Sequence, residues 1–132
     1  MIQFSDFEKK TNIKFKNKDL LKQAFVHRSY INENPNIGLS HNERLEFLGD
    51  AVLELVVTNF LYRKYPNYTE GELTAIRSAL VNAIIISEVA GEIGMNDYLL
   101  LSKGENKDHG KARQYILANT YEAFVGAIYL DQ

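Results

Sequence analysis

Only two prolines occur in the chain, Pro35 and Pro66, and the segment between them constrains the fold more than any other. Asn32-Glu33-Asn34-Pro35-Asn36-Ile37-Gly38-Leu39-Ser40 is dense in Asn, Pro and Gly and reads as a loop. Ser40 followed by Glu43 has capping-box spacing, and the sequence beyond it predicts a long helix that runs to Tyr65, where Pro66 stops it. At about 100° per residue, Glu43, Glu46 and Asp50 fall within about 60° of one another on that helix, over about two turns. Like charges placed so closely cost an isolated helix a few tenths of a kcal/mol per pair. A divalent cation is the obvious compensating group. Glu54 falls on the same side one turn further on and reads as a solvent-facing or salt-bridged glutamate.

Gly49 lies inside this helix at a cost of about 1 kcal/mol relative to alanine. A glycine there makes sense where another backbone approaches closely. A last helix, read over residues 113–130, supplies a matching surface, because its Ala118, Ala123, Gly126 and Ala127 are all small. Asn119 and Glu122, three residues apart, share one face of that helix. Packing the two helices through their small residues would bring Glu46, Asp50, Asn119 and Glu122 together. Such an oxygen-only donor set suits Mg²⁺ or Mn²⁺, hard cations that keep waters and engage substrate phosphates.

The rest of the pattern is also helical. Residues 3–11 form a short polar segment, and a helix over 18–26 would bury Leu20, Leu21, Ala24 and Phe25. Thr69 and Glu72 make a second capping box, opening one helix to Gly91 or Ile93 with Ile76, Leu80, Ile84 and Val89 on its apolar face. The β-branched run Ile84-Ile85-Ile86 would suit a strand, but the helical period upstream favours a buried helix. Residues 102–111 read as a polar loop. No strand is required and no repeat or linker interrupts the chain, so the expectation is a single all-α domain over residues 1–132.

Charge sharpens the picture. The net charge is −2, but residues 1–28 carry a balance of +4, residues 41–54 a balance of −3, and basic residues return at Lys103, Lys107, Lys111 and Arg113. An acidic patch between basic flanks suits a metal site acting on a polyanion; solvated helix faces would give the same distribution. Cysteine is absent, which removes disulfides, thiolate metal sites and cysteine nucleophiles and fits a reducing cytosol. The N-terminus lacks signal-peptide architecture and no apolar run approaches membrane-spanning length, so a soluble cytoplasmic protein with no membrane partner is expected. His27, His41 and His109 are too scattered to suggest a metal triad, and no Ser-His-Asp arrangement, phosphate-cradling glycine loop or dinucleotide fingerprint is present.

His41-Asn42-Glu43-Arg44-Leu45-Glu46-Phe47-Leu48-Gly49-Asp50-Ala51-Val52-Leu53 resembles the signature stretch of the ribonuclease III endonuclease domain. The resemblance extends, in family order, through Ala24–Tyr30, Glu70–Thr74, Ser102–Glu105 and Ile116–Asp131. It implies a helical domain that homodimerises and cleaves double-stranded RNA with Mg²⁺, Mn²⁺ serving as a substitute. The products would carry 5′-phosphate and 3′-hydroxyl ends with two-nucleotide 3′ overhangs. By position, Glu46, Asp50 and Glu122 match three of the family's four acidic metal-binding and catalytic residues. Phe47 matches the aromatic that inserts into the partner subunit, although a plain core aromatic would read the same way. Glu43 and Glu70 match acids near the dimer and RNA surface; local readings are a capping-box glutamate for Glu43 and a first-turn acid for Glu70. Recognition would be by A-form shape, with Lys103, Lys107, Lys111 and Arg113 as candidate phosphate contacts.

Two departures from the family pattern bear on activity. Asn119 stands where the family has aspartate; its carbonyl oxygen still suits a metal, but it brings no charge. A tolerated variant, an inactivating substitution and a degenerate site kept for RNA binding or dimerisation are all consistent with it. The alternative reading is accordingly an inactive module that dimerises and binds double-stranded RNA or a ribonucleoprotein. The family domain also usually continues with a further helix and a separate double-stranded RNA-binding domain. Residues 1–132 read as the endonuclease domain without either, for which weak, salt-dependent RNA affinity is expected.

Overall fold

A computed structural model describes all residues, Met1–Gln132. Eight α-helices follow one another: α1 (Phe4–Thr11), α2 (Lys18–Ala24), α3 (Arg28–Glu33), α4 (Glu43–Lys64), α5 (Glu70–Leu80), α6 (Ala83–Glu92), α7 (Lys103–Lys107) and α8 (Lys111–Asp131), with a 3-10 turn at Met95–Tyr98. There is no strand, only one parallel bridge between Val26 and Leu100. The all-α expectation holds.

Helix α8 is the axis of the molecule. It buries Ile116, Ala118, Thr120, Ala123, Phe124, Gly126 and Ala127, and α4, α6 and α2 all pack on it. An aromatic cluster closes the far side: Phe7 sits 5.1 Å from both Phe25 and Tyr98 and 5.3 Å from Phe124 between ring centroids, each contact edge-on. Edge-to-face pairs of this kind add roughly 0.5–1.5 kcal/mol each beyond the area they bury. The end of α8 is tied back by the Asp131 carboxylate, which accepts from the backbone N–H groups of Lys16 and Asn17 at 2.9 and 2.8 Å. Those two hydrogen bonds hold its pKa below the ordinary aspartate value.

The expected close approach of α4 and α8 is present at Gly49 and Gly126. A side chain at position 49 would overlap the carbonyl oxygen of Glu122 and lie 2.8 Å from the backbone nitrogen of Gly126. One at position 126 would overlap the carbonyl of Leu45. Both obstacles are backbone, so neither can rotate away.

Four local expectations need correction. Ser40 does not cap α4; its N-cap is Asn42, a buried residue whose side chain donates to Ala24 O at 2.8 Å. The Asn42 N–H also bonds Val26 O at 2.9 Å, so the start of α4 is pinned to the segment after α2 and not to its own loop. The single helix expected from Thr69 to beyond Gly91 is two helices bent by 48°. Asn82 makes the break: its Nδ2 donates to Ser78 O and Ala79 O, closing α5, while its Oδ1 accepts from Ile85 N, opening α6. Because of the break, the supposed buried face does not form; Leu80 and Ile84 are exposed and α5 contains no buried residue. Finally, the 102–111 loop contains α7, which Ser102 caps by accepting from Glu105 N at 3.1 Å. The Thr69–Glu72 capping box is present as expected. No single helix is long and apolar enough to cross a membrane.

Candidate active site

Four residues of α4, Glu43, Glu46, Phe47 and Asp50, and one of α8, Glu122, line a cavity of about 450 Å³. The glycine contact explains the meeting. Glu122 O is the atom against which Gly49 rests, so the backbone carrying Glu122 is held next to the turn of α4 between Glu46 and Asp50.

The carboxyl groups are close enough to perturb one another. Burial, a hydrogen bond to Asp50 and the charges of Asp50 and Glu46 raise the Glu122 pKa to about 8. Glu122 therefore favours its protonated form at neutral pH when no cation is bound. Burial, then the charges of Glu43 and Asp50, also raise the Glu46 pKa. A carboxylate trio that retains a proton at neutral pH lacks positive charge, which is the electrostatic condition a divalent cation relieves.

No group of three or more Asp, Glu, His or Cys side chains is placed so as to hold a metal ion by itself. An open arrangement still fits Mg²⁺, which keeps several waters and is commonly held by one or two carboxylates together with substrate phosphates. Glu46, Asp50 and Glu122 are the side chains that would hold it. Asn119 lies on α8 one turn before Glu122, half-buried, and does not line the cavity.

The remaining candidates fall elsewhere. Glu70 is in the first turn of α5 and lines a different cavity with Thr58, Leu61, Tyr62 and Arg77, among others. Glu54 is exposed and faces Arg77 at 3.7 Å, as a salt-bridged glutamate should. Phe47 is 83% exposed at the mouth of the acid cavity, so it is not a core aromatic. Lys103, Lys107 and Lys111 are exposed. Arg113 is not: it is buried, and its guanidinium donates to Asn96 Oδ1 at 2.8 Å and to the carbonyls of Glu105 and Asn106 at 3.0 and 3.3 Å. It fastens α7 to α8 and is unavailable to RNA phosphates, a correction to the sequence expectation.

Sequence reasoning missed the environment of Glu43. No capping box forms; instead its carboxylate accepts from Arg28 Nε and Nη2, both at 2.8 Å, and lies 3.7 Å from His41 Nδ1. Arg28 opens α3, where His27 is the N-cap and accepts from Ser29 N. Ser29 Oγ in turn accepts from Ser102 N at 2.9 Å, joining α3 to the start of α7. His27 is half-buried, and burial outweighs the nearby carboxylates of Glu105 and Glu43 to lower its pKa.

A family model for ribonuclease-III-like proteins matches residues 17–132. The chain is 48% identical over 130 residues to Ribonuclease 3 of Bacillus velezensis, covering 98% of this chain and 52% of that protein. It is 46% identical over 131 residues to Ribonuclease 3 of Listeria monocytogenes, covering 99% and 57% respectively. The chain thus spans about half the length of the curated relatives it matches. Among solved structures, a ribonuclease III nuclease domain from Campylobacter jejuni superimposes with a TM-score of 0.87 at 38% identity, covering 98% of this chain and 86% of that one. That structure is described for flexibility in a region involved in its dimer formation. Dicer from Pichia stipitis superimposes with a TM-score of 0.63 at 30% identity over 89% of this chain and 46% of that one. With the glycine-packed helix pair and its shared carboxylate cavity, these matches establish that the chain belongs to the ribonuclease III family.

Proposed function

We propose that this chain is the endonuclease domain of a divalent-metal-dependent enzyme that cleaves double-stranded RNA as a homodimer. The products are 5′-phosphate and 3′-hydroxyl ends with two-nucleotide 3′ overhangs. The observation that carries this reading is the convergence of Glu46, Asp50 and Glu122 from two helices on one open cavity in a chain of this family. A bound Mg²⁺, or Mn²⁺ in its place, would activate a water for in-line attack on phosphorus and stabilise the leaving 3′ oxygen. The protein's part is positional. The backbone contact at Gly49 fixes the separation of the two helices, and Glu122, whose pKa is raised to about 8, must lose its proton before it acts as an anionic donor. Asn119, one turn before Glu122 on α8, does not line the cavity and brings no charge where the family has aspartate.

Exposed apolar surface supports the dimer. Phe47, Leu55, Val56, Phe60 and Tyr62 of α4 are all more than half exposed, and α5 buries nothing beside them. Phe47 belongs both to this surface and to the mouth of the acid cavity, so the partner subunit would help wall the site.

The test is cleavage of a labelled RNA duplex in Mg²⁺ and in Mn²⁺ by this chain beside its Asn119→Asp variant. Cutting by the chain itself supports the proposal with asparagine tolerated, and cutting by the variant alone identifies position 119 as the lesion. Failure of both, with dimerisation confirmed, refutes the nuclease reading and favours the inactive RNA-binding module that Asn119 also suggests.

A further inference from the structure

We propose that Arg28 is an RNA-phosphate-binding residue at the rim of the acid cavity, held in place by Glu43, which serves to orient it; the inference rests on the double-stranded RNA reading above. A guanidinium has two hydrogen-bonding edges in one plane. Arg28 spends the edge formed by Nε and Nη2 on the two oxygens of Glu43, each at 2.8 Å. Its Nη1 makes no hydrogen bond, and the side chain is 63% exposed, so the outer edge faces solvent. A carboxylate on the inner edge and a phosphate on the outer edge can be held together, and planar forks of this kind match phosphate geometry.

The position of the pair gives it a purpose. Glu43 lines the acid cavity, and Arg28 is the one arginine or lysine paired with a lining residue. A polyanion brought to three clustered carboxylates is repelled unless a cation meets its flanking phosphates. Arg28 supplies that charge at the rim, beside the place where the scissile phosphate would sit. A merely structural role explains less, because an ion pair this exposed contributes little to stability. The arrangement also assigns Glu43 a role separate from the three inner acids: it is a positioning residue for Arg28.

The experiment measures binding of a fluorescent RNA duplex to the homodimer by anisotropy, without divalent metal and across a roughly fivefold range of potassium chloride. R28Q should weaken binding about tenfold and reduce the salt slope by about one ion per protomer. R28K, a point charge that cannot bridge two anions, should fall between R28Q and the unsubstituted chain. E43A should weaken binding less than R28Q, and the double variant should bind no worse than R28Q alone. In cleavage assays with Mg²⁺, R28Q should raise KM by a similar factor while acting little on kcat. Unchanged affinity and salt slope in R28Q, or a loss confined to kcat, overturns the inference while leaving the nuclease reading intact. If the unsubstituted homodimer neither binds nor cuts the duplex, both fall.

Discussion

Gly49 and Gly91 are both helical glycines, and substituting each by alanine should move stability in opposite directions. Helix propensity alone favours alanine at either site by up to about 1 kcal/mol. Gly91, near the end of α6, has nothing within 4 Å of where its Cβ would stand. Gly91→Ala should therefore stabilise the protein, by about 0.5 kcal/mol given its place in the last turn. At Gly49 the same methyl group would overlap Glu122 O and stand 2.8 Å from Gly126 N. Ordinary carbon contacts need ~3.5 Å, so α4 and α8 must part and loosen the buried faces of Ala123, Phe124 and Ala127. Overpacking a close-packed core costs about 1–3 kcal/mol and occasionally more, and obstacles made of backbone put this case at about 4 kcal/mol. Subtracting the propensity gain leaves a net loss of about 3 kcal/mol, a large share of the roughly 5–15 kcal/mol typical of a domain. At this chain length the melting temperature should fall by roughly 10 °C, against a rise of about 2 °C for Gly91→Ala. Urea and thermal unfolding followed by circular dichroism, at equal protomer concentration, measure both. A neutral or stabilising Gly49→Ala would refute the claim that backbone contact at this glycine sets the helix separation.

Glu122 predicts a pH dependence. Its folded pKa of about 8 lies above the ordinary 4.5, so between these values the native state binds more protons than the unfolded state. Stability of the metal-free protein should fall as pH rises through that window and level off above it. Glu122→Gln should flatten this fall in melting temperature measured from pH to pH, while abolishing cleavage; an unchanged pH profile would show that the carboxyl is not protonated. Phe47→Ala removes an 83%-exposed side chain from the proposed interface and should weaken the dimer by about 2 kcal/mol without unfolding the protomer, as sedimentation equilibrium would register. Arg113→Met strips donors from Asn96 and from the carbonyls of Glu105 and Asn106 and should cost about 2–4 kcal/mol in urea unfolding. The folded fraction of that variant should keep its salt slope for RNA, whereas a reduced slope would restore Arg113 as a phosphate contact.

What the sequence determined by itself is what periodicity and side-chain size encode. The spacing of Glu43, Glu46 and Asp50 put them on one face of a helix, and Gly49 opposite a run of Ala and Gly on the last helix indicated which two helices meet. That inference succeeded because glycine weakens a helix interior, and close backbone contact is what makes the loss worthwhile. Local chemistry also sufficed where the competing partners were local, as in the Thr69–Glu72 capping box. Tertiary structure decided matters wherever a side chain chose a distant partner over a near one. Asn42 bonds Ala24 and so displaces Ser40 as the cap of α4; Glu43, freed from capping, reaches Arg28 instead. Arg113 reads in the sequence as one more candidate phosphate contact, but α7 folds over it and offers two carbonyls. Asn82 shows the limit from the other side: its residue type allowed a break, but hydropathy alone ran straight through it. Helix faces follow from angles that each residue carries locally. Hydrogen-bond partners are settled by which of several groups the packed helices bring within about 3 Å, and that distance exists only once the chain has folded.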